Sequence, residues 1–366
     1  MKVAIIHYWL VGMRGGEKVL EAICDLYPQA DIFTHVAIRE NLSEKLRRHR
    51  IFETFIARLP MARRMYQSYL PLMPRALEAI DLTGYDLILS TEAGPAKGVI
   101  APPDAPHICY VHSPMRYLWD QYHAYREGAG SLARLAMPVF APGLRSWDVT
   151  SAARVDHFLA NSNHVANRVR KYWRREADVV FPPCDVAAFS PRKQGGHEEF
   201  YLWCGELAPY KRPDIAIGAF ERLGLPLKVI GGPEKAKGKF AAAAASNIEF
   251  LGKVDFDVLR DHLARCKALI FPGEEDFGIV PVEAQASGRP VIAYARGGAL
   301  DTVKHGETGW LFDDQSIDGL VEAVRGFEAE GLAGLNPGTL HEHAANFGVK
   351  QFQEGFRRAV EEQLAR

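Results

Sequence analysis

The sequence predicts an α/β protein made of two doubly wound parallel-sheet domains. Three observations predict it. Short apolar runs bounded by breakers alternate with helix-length segments, the alternation runs through two separate series, and a join rich in proline and glycine parts them. A length of 366 residues suits about two domains.

In chain order, Val3-Ala-Ile-Ile6 reads as the first strand, followed by a glycine turn and a helix through Leu20 to Leu26. Asp86–Ser90, His107–Val111 and Phe158–Ala160 read as further strands of the same series. The stretch 182–199, with Pro182-Pro183, Pro191 and Gly195-Gly196, reads as the join. Tyr201–Cys204 opens the second series, which continues through Leu227–Ile230, Ile248–Leu251, Ala268–Phe271 and Pro290–Ala293. The alanine run 241–245 reads as surface helix. The expected domains are 1–183 and 184–345, with 346–366 a C-terminal helix crossing back to the first.

Composition narrows the function classes. Hydrophobic content of 48% and charged content of 24% are those of an ordinary globular protein. A formal net charge of −1 argues against a nucleic-acid partner, which calls for a basic surface. No run reaches the apolar length of a membrane span, and the chain enters a strand at once, so no signal peptide is expected. Five scattered cysteines without a C-x-x-C pair fit reduced structural thiols, and with them a cytoplasmic location.

The densest motif runs from Pro272 to Pro290. It follows a buried strand and places Glu275 on the loop leaving that strand. Pro281 suits the first position of a helix, which puts Glu283 in its first turn and lets Gly288 and Pro290 end it. Two carboxylates at the carboxyl end of a parallel sheet are placed to accept hydrogen bonds from sugar hydroxyls. Taken alone, Glu275 reads equally as a solvated loop residue, and Glu283 as an acid favoured by the helix dipole.

The block Glu275-Asp-Phe-Gly-Ile-Val-Pro-Val-Glu283 resembles the Glu-x7-Glu signature of glycosyltransferase family 4, retaining enzymes that use nucleotide sugars. The resemblance implies the GT-B fold: two Rossmann-like doubly wound domains facing across a cleft, the first for the acceptor and the second for the nucleotide sugar. It implies that Glu275 holds the donor hexose, that Glu283 holds the ribose, and that Phe277, Gly278 and Ile279 lie against the donor. After the first strand, Val11-Gly-Met-Arg-Gly-Gly-Glu-Lys18 is a weak phosphate-loop candidate from its residues, neither G-x-G-x-x-G nor a P-loop. In the family its place is that of a glycine loop, where Gly15 and Gly16 would cradle a diphosphate.

His112 follows directly on the strand ending at Val111, and a lone histidine is most often structural. The block His112-Ser-Pro-Met-Arg-Tyr-Leu-Trp-Asp120 resembles bacterial mannosyltransferases of O-antigen and exopolysaccharide synthesis that use GDP-mannose, and so does His7–Glu17. The resemblance implies that His112 reaches the donor hexose. In Cys204-Gly-Glu-Leu-Ala-Pro-Tyr-Lys-Arg-Pro213, Lys211 stands where the family neutralises the leaving diphosphate. Glu206 stands where the family carries arginine. Three accounts are open: Arg212 substitutes, Glu206 is turned away or paired with a cation, or activity is altered. Gly231, Lys253 and Val254 fall where relatives approach the nucleotide. No Asp-x-Asp metal motif stands out, and no metal or other cofactor is expected.

From Leu42 to Leu77 there are eight arginines or lysines against two acids, interleaved with apolar residues. Such a segment reads either as a solvated helix pair or as a basic amphipathic surface for an anionic membrane. The second reading suits an acceptor carried on a lipid diphosphate and a site at the inner face of the cytoplasmic membrane. The overall expectation is a retaining hexosyltransferase, with mannose from GDP-mannose as the donor group. A UDP-sugar glucosyltransferase, a 2-epimerase or a non-catalytic nucleotide-sugar-binding subunit are the alternatives.

Overall fold

The computed structural model describes residues 1–192, 196–232 and 245–365, so Gly195, Pro233 and 241–244 of the alanine run lie outside the described residues. The chain divides into two compact units, Met1–Pro183 with Phe352–Arg366, and Cys184–Gln351.

The first unit holds a seven-stranded sheet in the order β3-β2-β1-β4-β5-β6-β7. Its strands are β1 (Val3–His7), β2 (Asp31–Thr34), β3 (Ile51–Glu53), β4 (Leu87–Glu92), β5 (His107–Val111), β6 (His157–Ala160) and β7 (Asp178–Val179). Every pairing is parallel. Side chains alternate across the sheet, so Val3 and Ile5 face one apolar layer and Ala4 and Ile6 the other. The first layer is completed by the helix Gly15–Leu26 and by the C-terminal helix Val349–Leu364. Phe352, Phe356 and Val360 recur every four residues along that last helix, which stacks them on one face, and all are buried.

Among the described residues the second unit holds six strands in the order β10-β9-β8-β11-β12-β13. These are β8 (Tyr201–Cys204), β9 (Leu227–Ile230), β10 (Ile248–Gly252), β11 (Leu269–Phe271), β12 (Val291–Tyr294) and β13 (Gly309–Phe312), again all parallel. Tyr201, Trp203, Val229, Ile270 and Ile292 form its core with the helices Pro213–Leu223 and Ile317–Ala329. Residues 346–351 pack with this unit, because the Cys184 amide donates to the Phe347 carbonyl at 2.9 Å.

Three expectations need correction. The segment 42–77 is not a helix pair: Ile51–Glu53 is an edge strand and the rest is short helical turns. Its charges are also partly spent, since Lys45 pairs with Asp25, Arg48 with Glu44 and Arg50 with Asp31. The helix carrying Glu283 runs Ile279–Ala286, so Pro281 is its third residue and Glu283 its fifth, in the second turn. Proline fits there because the first helical amides have no intrahelical acceptor.

Candidate functional site

In the second unit the strand order reverses between β8 and β11, and the loops leaving these two strands flank the position where doubly wound sheets bind ligands. The loop after β8 carries Lys211 on a short 3-10 turn, Pro209–Lys211, and the loop after β11 carries Glu275. Lys211 Nζ donates to Glu275 Oε1 at 2.5 Å, joining the two loops. Both side chains keep some exposure, 14% and 18%. Burial disfavours the charge on Lys211, yet Glu275 outweighs it and holds the ammonium above its ordinary pKa.

Glycines set this geometry. A Cβ on Gly273 would lie 2.7 Å from the Lys211 Cα, and one on Gly297 would lie 2.2 Å from the Glu275 carbonyl oxygen. The Gly298 amide donates to that same carbonyl at 2.8 Å. Gly231, at positive φ after β9, donates its amide to the Gly252 carbonyl at 2.7 Å, stitching in the turn that leads to exposed Lys253 and half-buried Val254.

Glu283 is partly buried, and burial with the nearby Asp185 charge pushes its carboxyl up to about 7. The buried surroundings of the Cys204 thiol push it up to about 12, and the charges of Glu283, Lys211 and Glu275 all act on it as well. Lys211 and Glu275 therefore meet beside the loop leaving β8, and the Glu283 charge is felt at the same thiol. Phe277 is buried against Phe347, while Gly278 caps the Glu283 helix at positive φ and Ile279 begins it.

Arg212 and Glu206 differ from the simplest expectation. Arg212 is bound through two nitrogens to Asp214, in the first turn of the next helix. Glu206 is exposed and forms no ion pair among the described residues. One Asp-x-Asp triplet, Asp255-Phe-Asp257, does occur; Asp255 is the N-cap of a helix and Asp257 pairs with Arg260.

In the first unit, Gly15 and Gly16 begin the helix after β1. A Cβ on Gly16 would lie 2.2 Å from the Tyr8 hydroxyl and 3.7 Å from His112 Nε2. Gly16 and His112, far apart in sequence, are thus brought together with Tyr8 between them. The His112 amide donates to the Glu92 carbonyl at 2.8 Å, and the Asn161 amide group donates to the His112 carbonyl at 3.0 Å.

Sequence reasoning missed Tyr8, Glu17 and Cys204. Burial, with the Glu17 charge next, pushes the Tyr8 hydroxyl well above its ordinary pKa. Glu17 is buried, accepts from the Arg14 amide at 2.9 Å and lies 3.9 Å from His7. Burial opposes its charge, but His7 and the Arg14 amide hold its carboxyl below the usual range. The signal available in sequence was an acid three residues after the helix cap.

The family glycosyl transferases group 1 matches residues 188–344, and Glycosyltransferase Family 4 matches residues 13–187. The two matches run together from 13 to 344, and the chain belongs to glycosyltransferase family 4. It is 29% identical over 235 residues to a D-inositol 3-phosphate glycosyltransferase of Mycobacterium marinum, covering 56% of this chain and 50% of that protein. The chain spans about half the length of the curated relatives it matches. Among solved structures, Anabaena HepE in complex with UDP and glucose superposes with a TM-score of 0.70 at 17% identity, covering 99% of each chain. Sucrose-phosphate synthase from Thermosynechococcus elongatus gives 0.73 at 16%, covering 100% of this chain and 99% of that one. At such identities the likeness is one of fold, and the fold is GT-B.

Proposed function

We propose that this chain is a retaining glycosyltransferase moving mannose from GDP-mannose to a lipid-linked glycan in bacterial surface polysaccharide synthesis. The observation that carries the reading is the Lys211–Glu275 pair at the β8/β11 switch point, with Glu283 eight residues further on. An ammonium has three donors, so Lys211 can keep Glu275 and still offer two to a diphosphate. Glu275 then accepts from hexose hydroxyls and Glu283 from the ribose.

Backbone groups at Gly231, Lys253 and Val254 meet the base, and those of Phe277, Gly278 and Ile279 line the donor. In the first unit, Gly15 and Gly16 meet the diphosphate, and His112 meets the hexose near its reacting carbon. In the reaction, the sugar's bond to the diphosphate breaks while the acceptor oxygen bonds on the same face. The departing diphosphate takes the acceptor's proton. The protein's share is positioning and stabilising the charge on the leaving group, chiefly through Lys211. A peripheral location at the inner face of the cytoplasmic membrane, with segment 42–77 at the lipid, suits the proposed acceptor. No described helix is long and apolar enough to cross a membrane.

A second reading has a specific support. HepE was solved with UDP and glucose, which favours a UDP-hexose donor. Calorimetric titration with GDP-mannose, GDP-fucose, UDP-glucose and UDP-N-acetylglucosamine separates the two. Selective binding of GDP-mannose is the expected result, and preference for a UDP sugar removes the mannose assignment. Binding without transfer to any lipid-linked acceptor would leave a nucleotide-sugar-binding subunit.

A further inference from the structure

The helix Ser131–Ala152 of the first unit turns one apolar stripe inward and exposes another. Ala141 and Leu144 are buried with Met115, Leu118 and Tyr122. Leu132, Leu135 and Val139 are 82%, 74% and 72% exposed, and Phe140 is 47% exposed. Their spacing puts them on one face of the helix. Single exposed apolar residues need no explanation, but a contiguous stripe does.

A groove of about 260 Å³ joins this helix to the turns at 66–72. Leu132, Ala136 and Phe140 form one wall, and Gln67, Leu70 and Pro71 the other. Just before those turns, Met61 and Met65 are 64% and 40% exposed. Charge within the two segments that form this apolar surface has one sign. Segments 54–77 and 128–147 contain arginines and not one aspartate or glutamate. Arg58, Arg63, Arg64, Arg75 and Arg134 are exposed, and none forms an ion pair among the described residues. The acids that bound these segments are Glu53, which accepts from the Ala37 amide, Glu78, already held by Arg154 and Trp147, exposed Glu127, and Asp148, buried against Lys97.

We infer that this surface docks the chain on an anionic lipid bilayer, with Leu132, Leu135, Val139 and Phe140 entering the headgroup–acyl boundary and the arginines meeting lipid phosphates. Bilayer and surface are complementary in both respects: an apolar stripe needs a medium that admits it, and a rim of unpaired cations needs anions. The inference deepens the lipid-linked acceptor reading and relocates its contact. The 42–53 part of the basic segment drops out, because Lys45, Arg48 and Arg50 are paired and its end is the edge strand Ile51–Glu53, and the 131–152 helix replaces it.

The test is co-sedimentation with vesicles of phosphatidylcholine alone and of phosphatidylcholine with phosphatidylglycerol. Wild type should bind the anionic vesicles about tenfold or more better than the neutral ones, and added salt should narrow the difference. Leu132→Ser, Leu135→Ser and Val139→Ser combined should lower binding at least about tenfold at any salt. Arg63→Ala with Arg64→Ala should lower it only at low salt. All variants should keep the wild-type melting curve and GDP-mannose affinity, so failure here is distinct from failure of the nucleotide-sugar reading. Equal binding to both vesicle types, or an undiminished triple variant, would overturn the inference. A self-association that the triple variant abolishes would overturn it too, in favour of a second copy of the chain.

Discussion

Glu206 and Glu283 are the two residues whose environments depart furthest from a simple reading of their motif. Glu206 stands where the family resemblance leads one to expect arginine, yet both cations beside it have other partners, Glu275 for Lys211 and Asp214 for Arg212. A carboxylate that is exposed and pairs with no described residue can be replaced without breaking an observed contact. Glu206→Arg should therefore alter unfolding free energy by under about 0.5 kcal/mol. It should tighten GDP binding, measured by calorimetry, by about 1 kcal/mol through an added contact to the diphosphate. A clear loss of stability would show that Glu206 has a partner. Glu283 carries a pH dependence. Its folded pKa of about 7 lies above the ordinary 4.5, so the native state holds this proton more tightly than the unfolded chain. Its contribution to stability is full below the ordinary value and is lost as pH rises through about 7. Ligand binding has the opposite sign, because the carboxylate is the form that accepts from both ribose hydroxyls. Affinity for GDP-mannose, whose bridging diphosphate stays ionised in this range, should rise through neutral pH. Glu283→Gln should flatten that profile, and an unchanged slope would mean another group titrates.

At the scale of elements, the C-terminal helix has the most to lose from one substitution. Phe356 is 1% exposed and sits in the layer formed with β1, β4 and the Gly15–Leu26 helix. Phe356→Ala should cost about 3–5 kcal/mol of unfolding free energy in urea; a loss under about 1 kcal/mol would show that the first unit closes without this helix. Elements also show where sequence reading succeeded. β1, β4, β5, β8 and β9 were legible because each is a run of apolar residues bounded by breakers. β7 has two residues, β13 opens on a glycine that reads as a turn, and β3 lies inside a basic run resembling a helix surface. β2, Asp31–Thr34, is four residues following Pro28 and has too little pattern to stand out. The site followed the same division. Glu275, Glu283 and Lys211 are carried by local motifs, but the ion pair spanning 64 positions is a product of strand order. Tyr8, Glu17 and Cys204 owe their character to burial and neighbours, which spacing does not encode.

For the whole molecule, each unit brings its own candidate residues to the carboxyl ends of its parallel strands, Gly16 with His112 in the first and Lys211 with Glu275 in the second. A near-neutral chain with a local arginine-rich surface fits one small anionic ligand and one anionic interface better than a polyanion. The central claim is that the second unit divides a nucleotide sugar between its two glutamates, Glu283 taking the nucleotide and Glu275 the hexose. Calorimetric titration of GDP and of GDP-mannose into wild type, Glu283→Ala and Glu275→Ala tests it directly. Glu283→Ala should weaken both ligands by about 1.5–3 kcal/mol, the scale of hydrogen bonds to charged groups. Glu275→Ala should weaken only GDP-mannose and leave GDP nearly untouched. Equal losses for free GDP in both variants, or no binding of either ligand to the wild type, would contradict the account.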